Sequence, residues 1–181
     1  MNLHSIFYSI QGEGFHTGMP AVFVRFAGCN LACSWCDTDH SQQFSMSPHE
    51  IVAECKRYPS SNVILTGGEP MIQKIVPLVR LLHQFGFWVA IETNGTRPVP
   101  GCLDWITVSP KSPGRFKCNE LKLVYTGQDI SQYEEVPRFC CSVYRFLQPC
   151  SMENVDETVQ MVKENPTWRL SLQTHKLIGI E

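Results

Sequence analysis

Seven short, nearly unbroken apolar runs punctuate the chain: Ala21–Phe26, Asn62–Thr66, Phe87–Glu92, Leu103–Val108, Leu121–Tyr125, Tyr144–Leu147 and Trp168–Leu172. Runs of this length without polar alternation predict strands covered on both faces. The leading segment His4–Ser9 adds another candidate. Amphipathic stretches fall between the runs. Ser47 and Glu50 form a capping box that opens a helix to about Arg57. Pro77–Gln84 carries Leu78, Leu81 and Leu82 at helical spacing, with Gly86 past its end. Glu153–Asn165 is amphipathic through Val155, Val159 and Val162 and stops at Pro166. A further short helix is expected around Asp129–Val136. Thr93–Cys102 and Ser109–Glu120 read as loops. Strand–helix alternation predicts a parallel α/β sheet. A full eightfold barrel typically takes about 250 residues, so the expectation is a reduced, partly open (β/α) barrel with fewer helices than strands. One domain is expected to span residues 1–181.

Charge and composition narrow the partners. Lys and Arg total 15 against 17 Asp and Glu, a formal net charge of −2. That balance offers nucleic acid no basic stripe. No apolar run approaches the roughly 20 residues that span a bilayer. Met1–Gly14 lacks the basic and apolar regions of a signal peptide, so a cytoplasmic protein is expected. The nine cysteines then need a reason, because cytosolic thiols stay reduced. Their odd number also argues against full pairing, leaving metal chemistry or burial as small apolar groups.

Three of them are packed into one loop. The run Ala21–Phe26 leads into Cys29, Cys33 and Cys36, a Cys-x3-Cys-x2-Cys spacing. Three thiolates suit three irons of a [4Fe–4S] cluster and leave the fourth open to a ligand. Structural zinc is the alternative, with His40 or Asp37 completing four ligands. Fortuitous core cysteines are the third reading. The remaining cysteines, at 55, 102, 118, 140, 141 and 150, show no second ligand spacing and read mostly as core.

Polar or glycine-rich words follow the other runs: Thr66-Gly67-Gly68-Glu69-Pro70, Glu92-Thr93-Asn94-Gly95, Ser109-Pro110-Lys111, Gln148-Pro149 and Gln173-Thr174-His175-Lys176. Sites in parallel α/β folds collect at the C-terminal ends of strands, so these words should surround one mouth with the cysteine loop. Taken singly they are ambiguous. Gly67-Gly68 is a turn or a close approach of backbone to a ligand. Glu69 is a solvated carboxylate or an acceptor for an ammonium. Lys111 is solvated or functional, and His175 structural or functional. Arg25 stands inside an apolar run and needs an anion. A substrate carboxylate held in bidentate fashion would serve, as would an internal salt bridge to Glu13 or Glu92.

These residues resemble the radical S-adenosylmethionine superfamily, whose general marks are the Cys29/Cys33/Cys36 spacing and Gly67-Gly68-Glu69-Pro70. More narrowly, the chain resembles the family of 7-carboxy-7-deazaguanine synthases, the ring-contracting enzymes of queuosine precursor synthesis. Phe7–Gly14, Gly18–Arg25, Trp35–Asp39, Glu92–Gly95, Ser109–Lys111 and Leu172–Ile180 carry that likeness over nearly the whole chain. The resemblance implies a cluster on Cys29, Cys33 and Cys36 with S-adenosylmethionine on its open iron. A one-electron reductant such as flavodoxin or ferredoxin would release a 5′-deoxyadenosyl radical. That radical would take a hydrogen atom from 6-carboxy-5,6,7,8-tetrahydropterin, whose ring contracts to 7-carboxy-7-deazaguanine with loss of ammonia.

The resemblance also implies roles. Trp35, Cys36, Asp37, Gly68, Glu69, Gly95, Ser109, Pro110, Lys111, Gln148, Pro149, Cys150 and Ser151 would surround the cofactor, with Glu69 on its amino group. Ile10, Gln11, Gly12, Glu13, Arg25, Thr93, His175 and Glu181 would hold the pterin, with Arg25 on its carboxylate. Thr38 would ligate Mg²⁺, a hard cation content with one protein oxygen plus water and substrate. His40 departs from the aromatic residue that relatives tend to place after Asp39. Family members are dimers, so a homodimer is expected. A glycyl-radical-enzyme activase would share the cluster and cofactor words. A non-catalytic zinc or iron–sulfur module is the reading from another class.

Overall fold

The computed structural model describes residues 1–133 and 143–181. Among them nine strands form one sheet: β1 (Asn2–Ile10), β2 (Pro20–Phe26), β3 (Phe44–Ser45), β4 (Asn62–Gly67), β5 (Trp88–Thr93), β6 (Trp105–Val108), β7 (Glu120–Tyr125), β8 (Tyr144–Pro149) and β9 (Arg169–Leu170). Their order is β3-β1-β2-β4-β5-β6-β7-β8-β9. Neighbours from β2 to β9 are parallel, while β1 pairs antiparallel with both β2 and β3. The sheet is not closed: β3 and β9 are its edges. Among the described residues four helices accompany it, α1 (Pro48–Cys55), α2 (Val76–Gln84), α3 (Val155–Glu164) and α4 (Thr174–Ile178). The reduced, partly open α/β architecture with fewer helices than strands is therefore the one adopted.

The apolar runs are explained by their two faces. Val22, Val24, Phe26, Val63, Leu65, Val89, Ile91, Leu121 and Leu123 share one core with Ile51 and Val52 of α1 and Leu78, Val79 and Leu82 of α2. Each such side chain, fully buried, contributes roughly 1.5–3 kcal/mol. The alternate residues Ala21, Phe23, Ile64 and Ala90 form a smaller cluster on the opposite face. Further along the same face the row turns polar: Arg25, Thr66, Glu92 and Lys122 line a cavity. Side chains alternate across a strand with period two, so one set of runs builds both the core and the cavity wall.

Helix boundaries follow local chemistry. The Ser47 hydroxyl accepts from the Glu50 amide (3.3 Å), and the Glu50 carboxylate accepts from the Ser47 amide (2.7 Å). The helix stops at Cys55, short of Arg57. Helix α3 starts at Val155, because Cys150–Met152 form a separate 3-10 turn. Of the expected helix at Asp129–Val136, Ile130–Tyr133 form a 3-10 turn and residues 134–136 lie outside the described set. The last run keeps only Arg169–Leu170 as strand. No helix among the described residues is long and apolar enough to cross a membrane.

The extra cysteines divide. Cys55 and Cys118 are buried in the core, and Cys102 packs against it. Burial pushes the Cys55 thiol up to about 12, as befits an inert apolar filler. Cys150 instead lines the cavity, a correction to reading it as core. Cys140 and Cys141 lie outside the described residues.

Candidate active site

The cysteine loop leaves β2 at the end that β4 also reaches, and the two ends are locked backbone to backbone. The Gly68 amide donates to the Phe26 carbonyl (3.1 Å), and the Glu69 amide to the Gly28 carbonyl (2.9 Å). A Cβ on Gly68 would stand 1.9 Å from the Gly28 oxygen. The glycine pair thus serves a close approach, but to the cysteine loop's own backbone.

Glu69 is neither solvated nor on the cavity wall. It is fully buried, and its carboxylate accepts from the Met71 amide (2.9 Å), the Thr93 hydroxyl (2.7 Å) and the Asn94 amide (2.7 Å). Those bonds tie the end of β4 to the end of β5. Asn94 then reaches the cysteine loop, with Nδ2 donating to Asn30 (3.0 Å) and standing 4.0 Å from the Cys29 sulfur.

The strand ends enclose a cavity of about 280 Å³. Cys29, Cys33 and Cys36 line it, as do Trp35, Asp37, Thr38, His40, Gly68, Ser109, Lys111, Gln148, Pro149, Cys150 and Ser151. Ile10, Gln11, Gly12, Glu13, Arg25, Thr93, His175 and Glu181 line it too. Three expected residues stay off the wall. Glu69 is turned inward, Pro110 is buried behind Ser109, and Gly95 sits in a turn packed on Val108 and Phe116. At the end of β8, Ser151 and Met152 both hold positive φ (49° and 66°), an unfavourable backbone for side-chain-bearing residues.

The donor set fits an iron–sulfur cluster better than a single ion. The three thiols face one cavity, yet among the described residues no three His, Cys, Asp or Glu side chains converge on one metal position. Asp37, offered above as a fourth zinc ligand, is occupied: its carboxylate accepts from Lys176 and from Gln173 Nε2 (3.0 Å). Burial pushes the Asp37 carboxyl up, but these partners outweigh it and hold it below the ordinary value. Lys111 lies 5.0 Å over the Trp35 ring and donates to Ser109 (2.7 Å). Burial pushes its ammonium below the usual lysine value.

Arg25 makes no ion pair among the described residues; its guanidinium lies 5.4 Å over the Phe7 ring. Glu13 and Glu92, its suggested partners, both pair with Lys122, the latter at 3.2 Å. Lys122 was not singled out from sequence, and Glu92 entered only as part of a strand-end word and as a possible partner of Arg25. Yet Lys122 stands inside an apolar run just as Arg25 does, and that signal could have found it. Burial acts to lower the Lys122 ammonium, but the charges of Glu13, Glu92 and Glu120 override it and raise it above its usual value. Glu92, despite burial, is held low by Lys122.

The segment around α4 covers one side. The Thr174 amide and hydroxyl both donate to the Gly12 carbonyl (2.9 and 3.0 Å). Gln173 Nε2 bridges Glu13 (2.8 Å) and Asp37. The Ser9 hydroxyl donates to the Glu181 carbonyl.

Residues 23–165 match the Radical SAM superfamily. A 7-carboxy-7-deazaguanine synthase of Bacteroides thetaiotaomicron is 54% identical, covering 98% of this chain and 97% of its own. Its Haemophilus influenzae counterpart is 41% identical, covering 99% and 94%. The crystal structure of QueE from Escherichia coli superposes with a TM-score of 0.77 at 30% identity, covering 94% of this chain and 92% of that one. The activase alternative finds no support in these relatives. With its three cavity-facing thiols and full-length likeness to these enzymes, the chain belongs to the radical SAM superfamily and, within it, to the family of 7-carboxy-7-deazaguanine synthases.

Proposed function

We propose that the cavity is the active site of a 7-carboxy-7-deazaguanine synthase, which contracts 6-carboxy-5,6,7,8-tetrahydropterin to 7-carboxy-7-deazaguanine and releases ammonia. The observation that carries the reading is the polarity of the cavity. Arg25 offers a guanidinium with no carboxylate beside it among the described residues, while Glu13 and Glu92 offer acceptors elsewhere on the wall. A substrate with a carboxylate at one end and a row of N–H donors at the other suits that polarity.

Cys29, Cys33 and Cys36 would hold the cluster; with S-adenosylmethionine bound it supplies one-electron chemistry and hydrogen-atom abstraction, the hard step that a cofactor carries. The chain's own part is to bind, orient and exclude water. Arg25 grips the substrate carboxylate in a bidentate pair. Gln11, Glu13, Thr93 and His175 hold the pterin, enclosed by Ile10, Gly12 and Glu181. Trp35, Ser109, Lys111 and the Gln148–Ser151 turn flank the cofactor, backed by Glu69, Gly95 and Pro110. Thr38 would contribute one oxygen to Mg²⁺, a hard cation that would supply stabilisation of negative charge at the site. The segment around α4 shields the site from solvent. The active form is a homodimer of one-domain subunits, reduced by a flavodoxin- or ferredoxin-type donor.

The test is anaerobic reconstitution followed by S-adenosylmethionine, dithionite, Mg²⁺ and the tetrahydropterin, with products read by mass spectrometry. The expected product is 7-carboxy-7-deazaguanine. In Arg25→Ala, kcat/KM falls by at least about 30-fold, the loss typical of removing one partner from a buried charge pair. A protein that cleaves the cofactor to 5′-deoxyadenosine but makes no such product would keep the radical chemistry and discard the substrate.

A further inference from the structure

The Lys122 ammonium is shared between two carboxylates of the cavity wall, Glu13 and Glu92, whose lone pairs are unequally used. Glu92 Oε1 accepts from Gln11 Nε2 (3.1 Å) and Lys122 (3.2 Å), and Oε2 from the Thr66 hydroxyl (2.8 Å). Three of its roughly four lone pairs are occupied. Glu13 has one bond on each oxygen, from Gln173 to Oε1 and from Lys122 to Oε2. Among the described residues, Glu13 therefore keeps one acceptor site unused on each oxygen. Glu92 is fixed to β4 and to Gln11 and anchors the ammonium; Glu13 is the carboxylate with capacity left for a ligand.

We infer that Lys122 is a positioning and specificity-determining residue: anchored by Glu92, it holds the Glu13 carboxylate oriented so that its two oxygens accept the paired N–H groups of a 2-amino-4-oxopyrimidine edge. The inference rests on the pterin reading above and adds which edge is read and what holds the reader. Two parallel N–H···O bonds to a carboxylate match that edge as they match a guanidinium fork. A 2-oxo edge would point a carbonyl oxygen at the carboxylate, acceptor against acceptor, which is rejection by repulsion. Replacing a buried ion pair by apolar groups is often neutral for stability. A buried ammonium kept on a cavity wall therefore calls for a role besides holding the fold. Without it, Glu13 would lose the cation it shares with Glu92 and would turn away, losing its acceptor pair.

The experiment compares 6-carboxytetrahydropterin with its 2-oxo analogue, 6-carboxytetrahydrolumazine, on wild type, Lys122→Met, Lys122→Gln and Glu13→Gln. Wild type should prefer the 2-amino compound by about 1000-fold or more in kcat/KM, as sites built to pair a substrate N–H do. In each single variant that ratio should fall by at least roughly 30-fold, chiefly through KM. The double variant Lys122→Met/Glu13→Gln should lose no more than the worse single one, because both act on one contact. The ratio is read on the same folded fraction for both substrates, so partial unfolding leaves it unmoved. A Lys122 variant that keeps the wild-type ratio, or losses that add in the double variant, overturns the inference while leaving the synthase reading intact. Wild type that turns over neither compound while still cleaving the cofactor overturns the synthase reading itself.

Discussion

Glu120 shares the cavity face of β7 with Lys122 two residues on, and its carboxylate is buried. It is 2% exposed. One oxygen accepts from the Phe15 amide (3.3 Å), Trp105 Nε1 (3.2 Å) and the Thr107 hydroxyl (3.3 Å). Burial raises its pKa above the ordinary carboxylate value. A carboxyl whose folded pKa is raised favours folding below the unfolded pKa and loses that contribution as pH rises through the folded one. Glu120→Gln keeps the accepting oxygen and removes the charge. Thermal melts should show it stabilised at pH 8 by about 2–4 °C, the shift that about 1 kcal/mol gives at this size, with the gain gone near pH 4. A variant melting below wild type at pH 8 would mean the charge is needed. At this scale the sequence is legible where a charge breaks an apolar run. Arg25 shows that signal, and Leu121-Lys122-Leu123 repeats it. Glu69 was illegible, because its three donors come from residues 71, 93 and 94, which only the folded sheet gathers.

Helix α4 has five residues and exposes Leu177 and Ile178, so neither length nor periodicity marks it; the words around it suggest function but not a helix. It is held by its own Thr174 on Gly12, and by its own Lys176 and the preceding Gln173 on Asp37. Side chains at the Asp37–Lys176 pair are each 37% exposed, and a pair so placed is worth at most about 1 kcal/mol. Lys176→Met should raise amide hydrogen exchange across 174–178 by up to about fivefold, with a matching rise in the cysteine loop. Exchange that rises in α4 alone would show that the two segments open independently. By contrast, α1 was legible in advance, because Ser47 and Glu50 carry both halves of its cap within four residues. β3, two residues on the sheet edge, has no local signal at all.

The sheet as a whole was legible in kind. Buried strands and a shortage of helices imply a parallel, incomplete α/β layer, and Thr93–Cys102 and Ser109–Glu120 indeed carry no helix, though Thr93 ends β5 and Glu120 starts β7. Strand order and the antiparallel β1 depend on contacts far apart in sequence, and no local pattern encodes them. The core beneath the sheet is dense, and Leu65 is fully buried in it. Leu65→Ala should cost about 2–5 kcal/mol in denaturant unfolding, with the slope unchanged; a smaller loss would mean the layer relaxes around the gap. The cover of the cavity joins residues some 160 positions apart: Gly12 to Thr174 and Glu13 to Gln173. On a ribosome adding roughly 5–20 residues per second, Cys36 is made roughly 7–27 s before Gln173. For that interval the three thiols have been synthesised but the polypeptide that shelters them has not, so the nascent chain meets cellular oxidants with its cysteine loop uncovered.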